Sequence, residues 1–219
     1  MMAHKLKGVF IDKGKIYTQN LIKNQCVYGE SLITVDGVQY RQWDPKRSKL
    51  GAAIKKNISQ IGIRQGSHVL YLGASSGTSA SHVSDIVGPE GSVFALDFST
   101  RMMRELVFLA KTRQNMAPIL ADAFKVSMYA KKVPPVDVVF QDIAQKNQVE
   151  IFLRNCDALL KKGGFGLLAV KARSIDVTKR PQEIFKTVRS QLERVVTIVD
   201  YRDLEPFEKD HALFVVKKA

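Results

Sequence analysis

Two periodicities divide the chain. Before residue 45, apolar and polar positions alternate in short runs: GVFIDKGKIYT turns at Asp12-Lys13-Gly14, and SLITVDGVQYRQW turns at Asp36-Gly37. A period of two turns one face of a strand toward a core, and Asp-Gly tolerates the left-handed backbone of a tight two-residue turn. Two hairpins are therefore predicted, within a small amino-terminal β domain over residues 1–45.

From residue 46 the pattern alternates between strand-like and helix-like segments. Strands are predicted at His68–Leu72, Val93–Asp97, Ile119–Leu120, Val136–Asp142, Phe165–Lys171, Val195–Val199 and Ala212–Val216. Helical spacing separates most of them, as in RMMRELVFLAKTRQN and VEIFLRNCDALLKKGG. In SKLGAAIKKNISQI, Ser48 is a good cap and Leu50, Ala53, Ile54, Ile58 and Ile61 follow at helical intervals. Such alternation implies parallel strands joined by right-handed crossovers, with helices on both faces: a doubly wound α/β domain over residues 46–219. The last two strands are separated only by YRDLEPFEKDH, too short for a helical crossover. They should form a hairpin, so that a final antiparallel strand starts at the edge where the parallel strands end.

Charge narrows the partner class. The 34 Lys and Arg against 21 Asp and Glu leave a net charge of +13, a field that attracts polyanions. Nucleic acid is the first partner this suggests; a well-solvated basic surface would read the same way. No apolar run is long enough to cross a membrane, and residues 1–10 do not read as a signal segment, so a soluble intracellular protein with no membrane partner is expected. Cys26 and Cys156 are too isolated for a disulfide framework or a zinc site. Cys156 falls on an apolar face with Ile151, Phe152, Leu159 and Leu160 and reads as core.

The chemistry concentrates at predicted strand ends. YLGASSGTSASHVSD leaves the strand ending at Leu72 through Gly73 and opens a short helix closing at Gly88. In open α/β sheets ligands bind beyond the carboxyl ends of the strands, where a glycine lets backbone approach closely. Gly73 and Gly77, with Ala-Ser-Ser between them, do not make the G-x-G-x-x-G of a dinucleotide site, and no G-K-[ST] of a triphosphate loop is present. Asp97 ends the next strand, 20 residues after Gly77, where a carboxylate can accept both hydroxyls of an adenosine ribose. An adenosine cofactor without a pyrophosphate, S-adenosylmethionine, suits these features; other nucleotides stay open, since glycines and a strand-end Asp also arise for turn reasons. Asp142 closes VDVVFQD and Lys171 closes GFGLLAVK, so both should project at the ligand edge. Lys49 falls in the first turn of a helix, where the dipole disfavours cations, so it is either a functional group or part of a solvated basic turn. His211, before the last strand, reaches the same edge or is an ordinary surface histidine.

LGASSGTSASHVSDIVG, DVVFQDIAQ, VKARSID, the helix-opening RSKL and the late DHA together resemble fibrillarin in its short archaeal-type form, over nearly the whole chain. The resemblance implies a class I (Rossmann-like) S-adenosylmethionine-dependent methyltransferase fold and 2′-O-methylation of ribose in ribosomal and transfer RNA. It implies that Gly73, Ala74, Thr78, Ser79, Asp97, Phe98, Asp122, Ala123 and Asp142-Ile143-Ala144-Gln145 hold the cofactor. It further implies that Lys49, Asp142, Lys171 and His211 form a catalytic set without a metal. The implied partners are a box C/D guide RNA with its target, a Nop-domain scaffold and a small kink-turn-binding protein. Ser79 stands where the family usually has a second Thr, and Asp97 where it usually has Glu; both keep the hydrogen-bonding group. With no glycine- and arginine-rich tail in the sequence, a cytoplasmic form is expected rather than a nucleolar one.

The chemistry asked of such a set is mostly alignment. A sulfonium methyl is already electrophilic, so the protein must place a ribose oxygen in line with it and help remove the hydroxyl proton. Lys171 is the candidate base, with Lys49 as the neighbouring cation, Asp142 orienting Lys171 and the ribose, and His211 holding the substrate. Base methylation, nicotinamide chemistry and RNA binding without catalysis are the competing readings. Asp-Ile-Ala-Gln after the strand lacks the Asn/Asp-Pro-Pro clamp for an exocyclic amine, no Pro-Cys nucleophile is present, and the third glycine of a dinucleotide loop is missing.

Overall fold

A computed structural model describes residues 1–219. The amino-terminal strands β1 (Met2–Ala3), β2 (Val9–Asp12), β3 (Lys15–Gln19), β4 (Leu32–Val35) and β5 (Val38–Trp43) form an antiparallel sheet in the order β1-β2-β3-β5-β4. Both predicted hairpins are present. Lys13 and Gly14 take φ of 45° and 75°, and Asp36 and Gly37 take 50° and 77°, the left-handed pair a tight hairpin turn requires.

The remainder runs α1 (Lys49–Lys55), β6 (His68–Leu72), α2 (Thr78–Val87), β7 (Ser92–Asp97), α3 (Thr100–Ala110), β8 (Met116–Leu120), β9 (Val136–Gln141), α4 (Gln148–Leu159), β10 (Leu160–Lys171), α5 (Ala172–Ile175), α6 (Pro181–Glu193), β11 (Thr197–Asp203) and β12 (His211–Lys217). The sheet order is β11-β12-β10-β9-β6-β7-β8, with β10, β9, β6, β7 and β8 parallel. β12 is antiparallel to both neighbours, as expected, but it lies one place in from the edge: it inserts between β10 and β11. Chain order could not show this, because the insertion depends on which edge accepts the returning strand.

Several boundaries differ from the periodic reading for local reasons. The helix expected to run on toward Ile61 ends at Lys55, because Asn57 turns left-handed at φ 58°. The Ile58 amide then donates to Ala53 and the Asn57 amide to Ile54, the double bond that satisfies a helix's last carbonyls. The strand predicted at Val195–Val199 starts at Thr197, since the Val195 and Val196 amides donate to the Leu192 carbonyl and prolong the turn after α6. β8 begins at Met116, and Pro118 inside it is tolerated because β8 is an edge strand with one partner. β10 starts at Leu160, so the pattern read as helix through Gly164 changes to strand after Leu159.

One apolar cluster joins the two sheets. Val9, Ile16 and Trp43 from the first pack with Leu50 and Ile54 of α1 and Val83 and Ile86 of α2. Cys156 is buried as predicted, in the cluster on the other face of the large sheet, and burial raises its thiol well above the usual range.

Candidate active site

The reactive edge is built at the carboxyl ends of β6, β7, β9 and β10. β6 ends in Gly73, which turns at φ 80°; a Cβ there would lie 2.3 Å from the Asp142 carbonyl oxygen, so only glycine lets the two strand ends meet. The Gly73 and Ala74 amides both donate to Leu96, and the Asp142 amide donates to Leu72, locking three neighbouring strand ends together. Gly77, at φ 96°, stands where a Cβ would meet a Leu109 methyl at 2.4 Å, and so lets α2 start against α3.

Beside these turns lies a cavity of about 320 Å³. Nine of the twelve residues singled out for the cofactor line it: Gly73, Asp97, Phe98, Asp122, Ala123, Asp142, Ile143, Ala144 and Gln145. Asp97 is 7% exposed, and its carboxylate oxygens each accept an amide, from Ser75, which lines the cavity, and from Ser99. Each oxygen keeps a lone pair for a ligand hydroxyl. Phe98 beside it is 69% exposed, an aromatic face presented to whatever enters. The Gly73 turn, strand-end carboxylates and aromatic face fit an adenosine-bearing group.

Ala74, Thr78 and Ser79 lie outside the cavity lining. Ala74 is buried behind it, Thr78 opens α2 toward a separate cleft shared with Arg47 and Glu105, and Ser79 donates to Ser48 at 2.7 Å. Ser48 caps α1 by accepting from the Gly51 amide, so Ser79 ties the first turn of α2 to the cap of the helix carrying Lys49. Ser75, Leu96 and Ala121 also line the cavity and carried no distinctive sequence signal.

The four predicted catalytic residues converge beside it. Lys49 Nζ lies 3.0 Å from Asp142 Oδ1, the two side chains 21% and 20% exposed. Lys171 and His211 are directly opposed across the β10–β12 pair. The unfavourable position of Lys49 at a helix start is thus offset by a carboxylate. Burial lowers the Lys49 ammonium, but the Asp142 charge and hydrogen bond, with Glu208 further away, outweigh it and hold the pKa above its ordinary value. Burial and then the Lys49 charge hold the His211 pKa below its usual value, which keeps the ring neutral at neutral pH.

Two details differ from expectation. Asp142 engages Lys49, whereas Lys171 is positioned through its backbone: its amide donates to the Gln148 side chain, which donates back to the Lys171 carbonyl. Gln148 is fully buried at the start of α4, a polar residue with no periodic signal to mark it. The second is a fifth ionisable group. Glu208, in the β11–β12 connection, feels the charges of Lys49, Asp142 and Lys171. Burial, opposed by Lys49 and reinforced by Asp142, pushes its carboxyl upward.

Comparison with known proteins assigns the whole chain. The profile of one protein family, Fibrillarin, matches residues 1–219. The chain belongs to the fibrillarin family. It is 53% identical over 220 residues to the fibrillarin-like rRNA/tRNA 2′-O-methyltransferase of Thermococcus onnurineus (strain NA1), covering 98% of this chain and 97% of that protein. Among solved structures it resembles Aeropyrum pernix fibrillarin in complex with natively bound S-adenosyl-L-methionine, with a TM-score of 0.90, 40% identity, and 98% and 96% of the two chains covered. A fibrillarin/Nop5p complex matches with a TM-score of 0.89 and 40% identity, over 98% of this chain and 99% of that one. In this fibrillarin, then, the cavity at Asp97 and the Lys49–Asp142 pair share one residue, Asp142.

Proposed function

We propose that this fibrillarin methylates ribose 2′-hydroxyls of ribosomal and transfer RNA with S-adenosylmethionine, as the guide-RNA-directed catalytic subunit of a box C/D ribonucleoprotein. The observation that carries the reading is the double placement of Asp142: it lines the cavity suited to an adenosine group and pairs with Lys49 beside Lys171 and His211. The S-adenosylmethionine-bound relative and the 53%-identical RNA 2′-O-methyltransferase support cofactor and reaction.

Asp97 and Phe98 hold the adenosine end by ribose hydrogen bonds and a ring face, while Asp122 through Ala123 and Ile143 through Gln145 close the walls. When bound, the cofactor supplies an electrophilic methyl. The protein's own task is to hold one ribose oxygen in line and take its proton. Lys49 and Asp142 fix the ribose, neutral His211 holds the substrate hydroxyls, and Lys171 is the group placed to accept the 2′-hydroxyl proton. Glu208 adds a carboxyl that feels both Lys49 and Lys171.

Nothing in the chain reads base identity: its positive charge attracts phosphate without selecting a sequence, and no paired stacking aromatics form an RNA-recognition sheet. Selection therefore falls to a guide RNA, held by a Nop-domain scaffold of the kind seen with the Nop5p-bound relative and anchored by a small kink-turn-binding protein. Reconstitution tests this: the lone chain should methylate RNA poorly, and guide RNA with both proteins should switch on transfer at one ribose that moves when the guide is changed. Efficient, site-selective methylation of naked RNA by the lone chain would overturn it.

A further inference from the structure

At the amino-terminal ends of the large sheet's strands, on the side away from the reactive edge, lies a groove of about 580 Å³. Lys5, Lys7, Arg64, Lys161 and Lys162 line it, and its one carboxylate, Asp137, is already engaged by Lys161 at 2.6 Å and by the His68 amide. A second hollow shares Lys162 and Gly163 and continues the surface to Lys217 and Lys218, so the cations form one band. Lys218 is spoken for by the carbonyls of Cys156, Asp157 and Leu160. Lys7, Arg64 and Lys162 are exposed and have no acidic partner, and Lys217 lies 5.8 Å over the Phe165 ring in the groove wall.

Some exposed cations elsewhere are matched locally. Arg154 pairs with Glu150, Arg173 with Asp210, Lys179 with Asp176 and Arg189 with Glu193. The band gathers five cations against one carboxylate in a concave surface, which is the chemistry that binds a phosphate backbone. The five-residue strand β6 separates it from the reactive edge, roughly 15–20 Å at the rise of an extended chain. A strand held there cannot present its ribose to Lys171 at the same point; it can only be a different stretch of RNA.

Resting on the RNA-directed reading above, we infer that this groove is a second RNA site, gripping the phosphate backbone of guide or target RNA away from the reacting nucleotide. Its contribution is affinity and orientation, with no part in the chemical step. Lys217 and Phe165 at its wall offer a cation and a ring edge to the same strand.

The test is the triple variant Lys7→Gln/Arg64→Gln/Lys162→Gln, beside a control of equal charge, Lys13→Gln/Lys23→Gln/Lys186→Gln, at exposed sites elsewhere. Binding of a labelled guide RNA to the full chain is followed by fluorescence anisotropy across a salt series, and methylation by the assembled particle across RNA concentration. The groove variant should bind more weakly and lower the slope of log affinity against log salt by about 2, at roughly 0.7 per lost contact to single-stranded RNA. It should raise KM for RNA severalfold and leave kcat unchanged, while the control changes far less. Equal losses in both variants would overturn the proposal, as would an unchanged slope in the groove variant. So would intact RNA binding with lost capture of an acidic partner protein. Because the anisotropy arm needs no turnover, failure of the methylation reading itself would show separately, as an assembled wild-type particle without activity.

Discussion

α2 connects two clusters of the same residue types that do opposite things. At its first turn Ser79 ties into the cap of α1 beside the Lys49–Asp142 pair; further along, His82 and Asp85 face the amino-terminal sheet. In that seam Asp85 accepts from Thr18, the Leu21 amide, Arg41 and Arg113, and the Arg41 and Asp85 side chains are both 0% exposed. Arg41 also reaches Glu30 at 2.6 Å. Burial alone would raise the Glu30 carboxyl, but the Tyr28 amide, Arg41 and the Val27 amide hold it below its usual value. At the reactive edge Asp142 has only Lys49, both a fifth exposed, and Lys171 Nζ has no hydrogen-bond partner. A buried charge whose valences are all filled by protein can only hold the fold together, whereas a half-exposed charge with valences left over is available to a substrate.

The largest expected effect falls in the seam. Arg41→Met leaves Asp85 and Glu30 buried and short of partners, and should lower unfolding free energy by about 3–5 kcal/mol. Turnover per folded molecule should be unchanged. Denaturant titration with activity measured on the folded fraction checks both, and a loss below about 1 kcal/mol would erase the contrast.

At the reactive edge the order is reversed. Asp142→Ala should reduce kcat by about 100-fold or more, since it removes the group that places Lys49 and the ribose together. Stability should move by less than about 1 kcal/mol, because the side chain is partly solvated. Lys171→Ala and Lys171→Arg should fall alongside it. Single-turnover assays with circular dichroism read the pair, and near-normal turnover in all three would move the chemistry to other residues.

Asp97 stands between the two regimes, buried yet with lone pairs to spare. Asp97→Ala should weaken S-adenosylmethionine binding by about 1.5–3 kcal/mol, the range for a hydrogen bond to a charged acceptor. Part of that is the loss of the Ser75 and Ser99 anchors. Unchanged affinity by calorimetry would remove Asp97 from the site.

The smallest effect is a pH dependence of the seam. His82 stacks on Trp43 at 4.6 Å, and burial, followed by the charges of Arg41 and Arg113, holds its pKa well below the ordinary value. Neutral His82 donates through Nδ1 to Thr18, which donates onward to Asp85, and accepts at Nε2 from Tyr28. Below about pH 6.5 the unfolded chain takes up a proton that the folded ring refuses. The contribution of His82 is therefore complete above that pH, and stability falls with acid by about 1.4 kcal/mol per pH unit until the folded-state pKa is reached. Melting temperatures between pH 7 and 5 should slope accordingly, and His82→Gln should flatten that slope beyond what His211, also lowered, contributes.

Much of the reactive edge was legible because strand ends are local. A strand closing in Asp97 or Lys171, or at Gln141 just before Asp142, projects that residue at the ligand edge whatever the rest of the chain does, and Ser48 before an apolar repeat fixes where Lys49 sits. Glu208 and Gln148 were not legible. One sits in a connection without periodicity, and the other is a buried polar residue whose purpose is visible only beside Lys171. The whole Thr18–His82–Asp85–Arg41–Arg113 seam likewise had no sequence signature, since its members lie on separate elements.

From its own sequence this chain determined the two amino-terminal hairpin turns, the strand–helix alternation, the Gly73 turn and the family to which it belongs. Each depends on dihedral preference, period or motif over a few neighbouring positions. Only the tertiary structure decided that Lys49 meets Asp142, 93 residues away, that Arg41 meets Asp85, 44 residues away, and that β12 inserts beside β10. Those outcomes depend on long-range register and burial. Register places an acid next to a base, and the water left around the pair decides whether it serves as a strut or as a reagent.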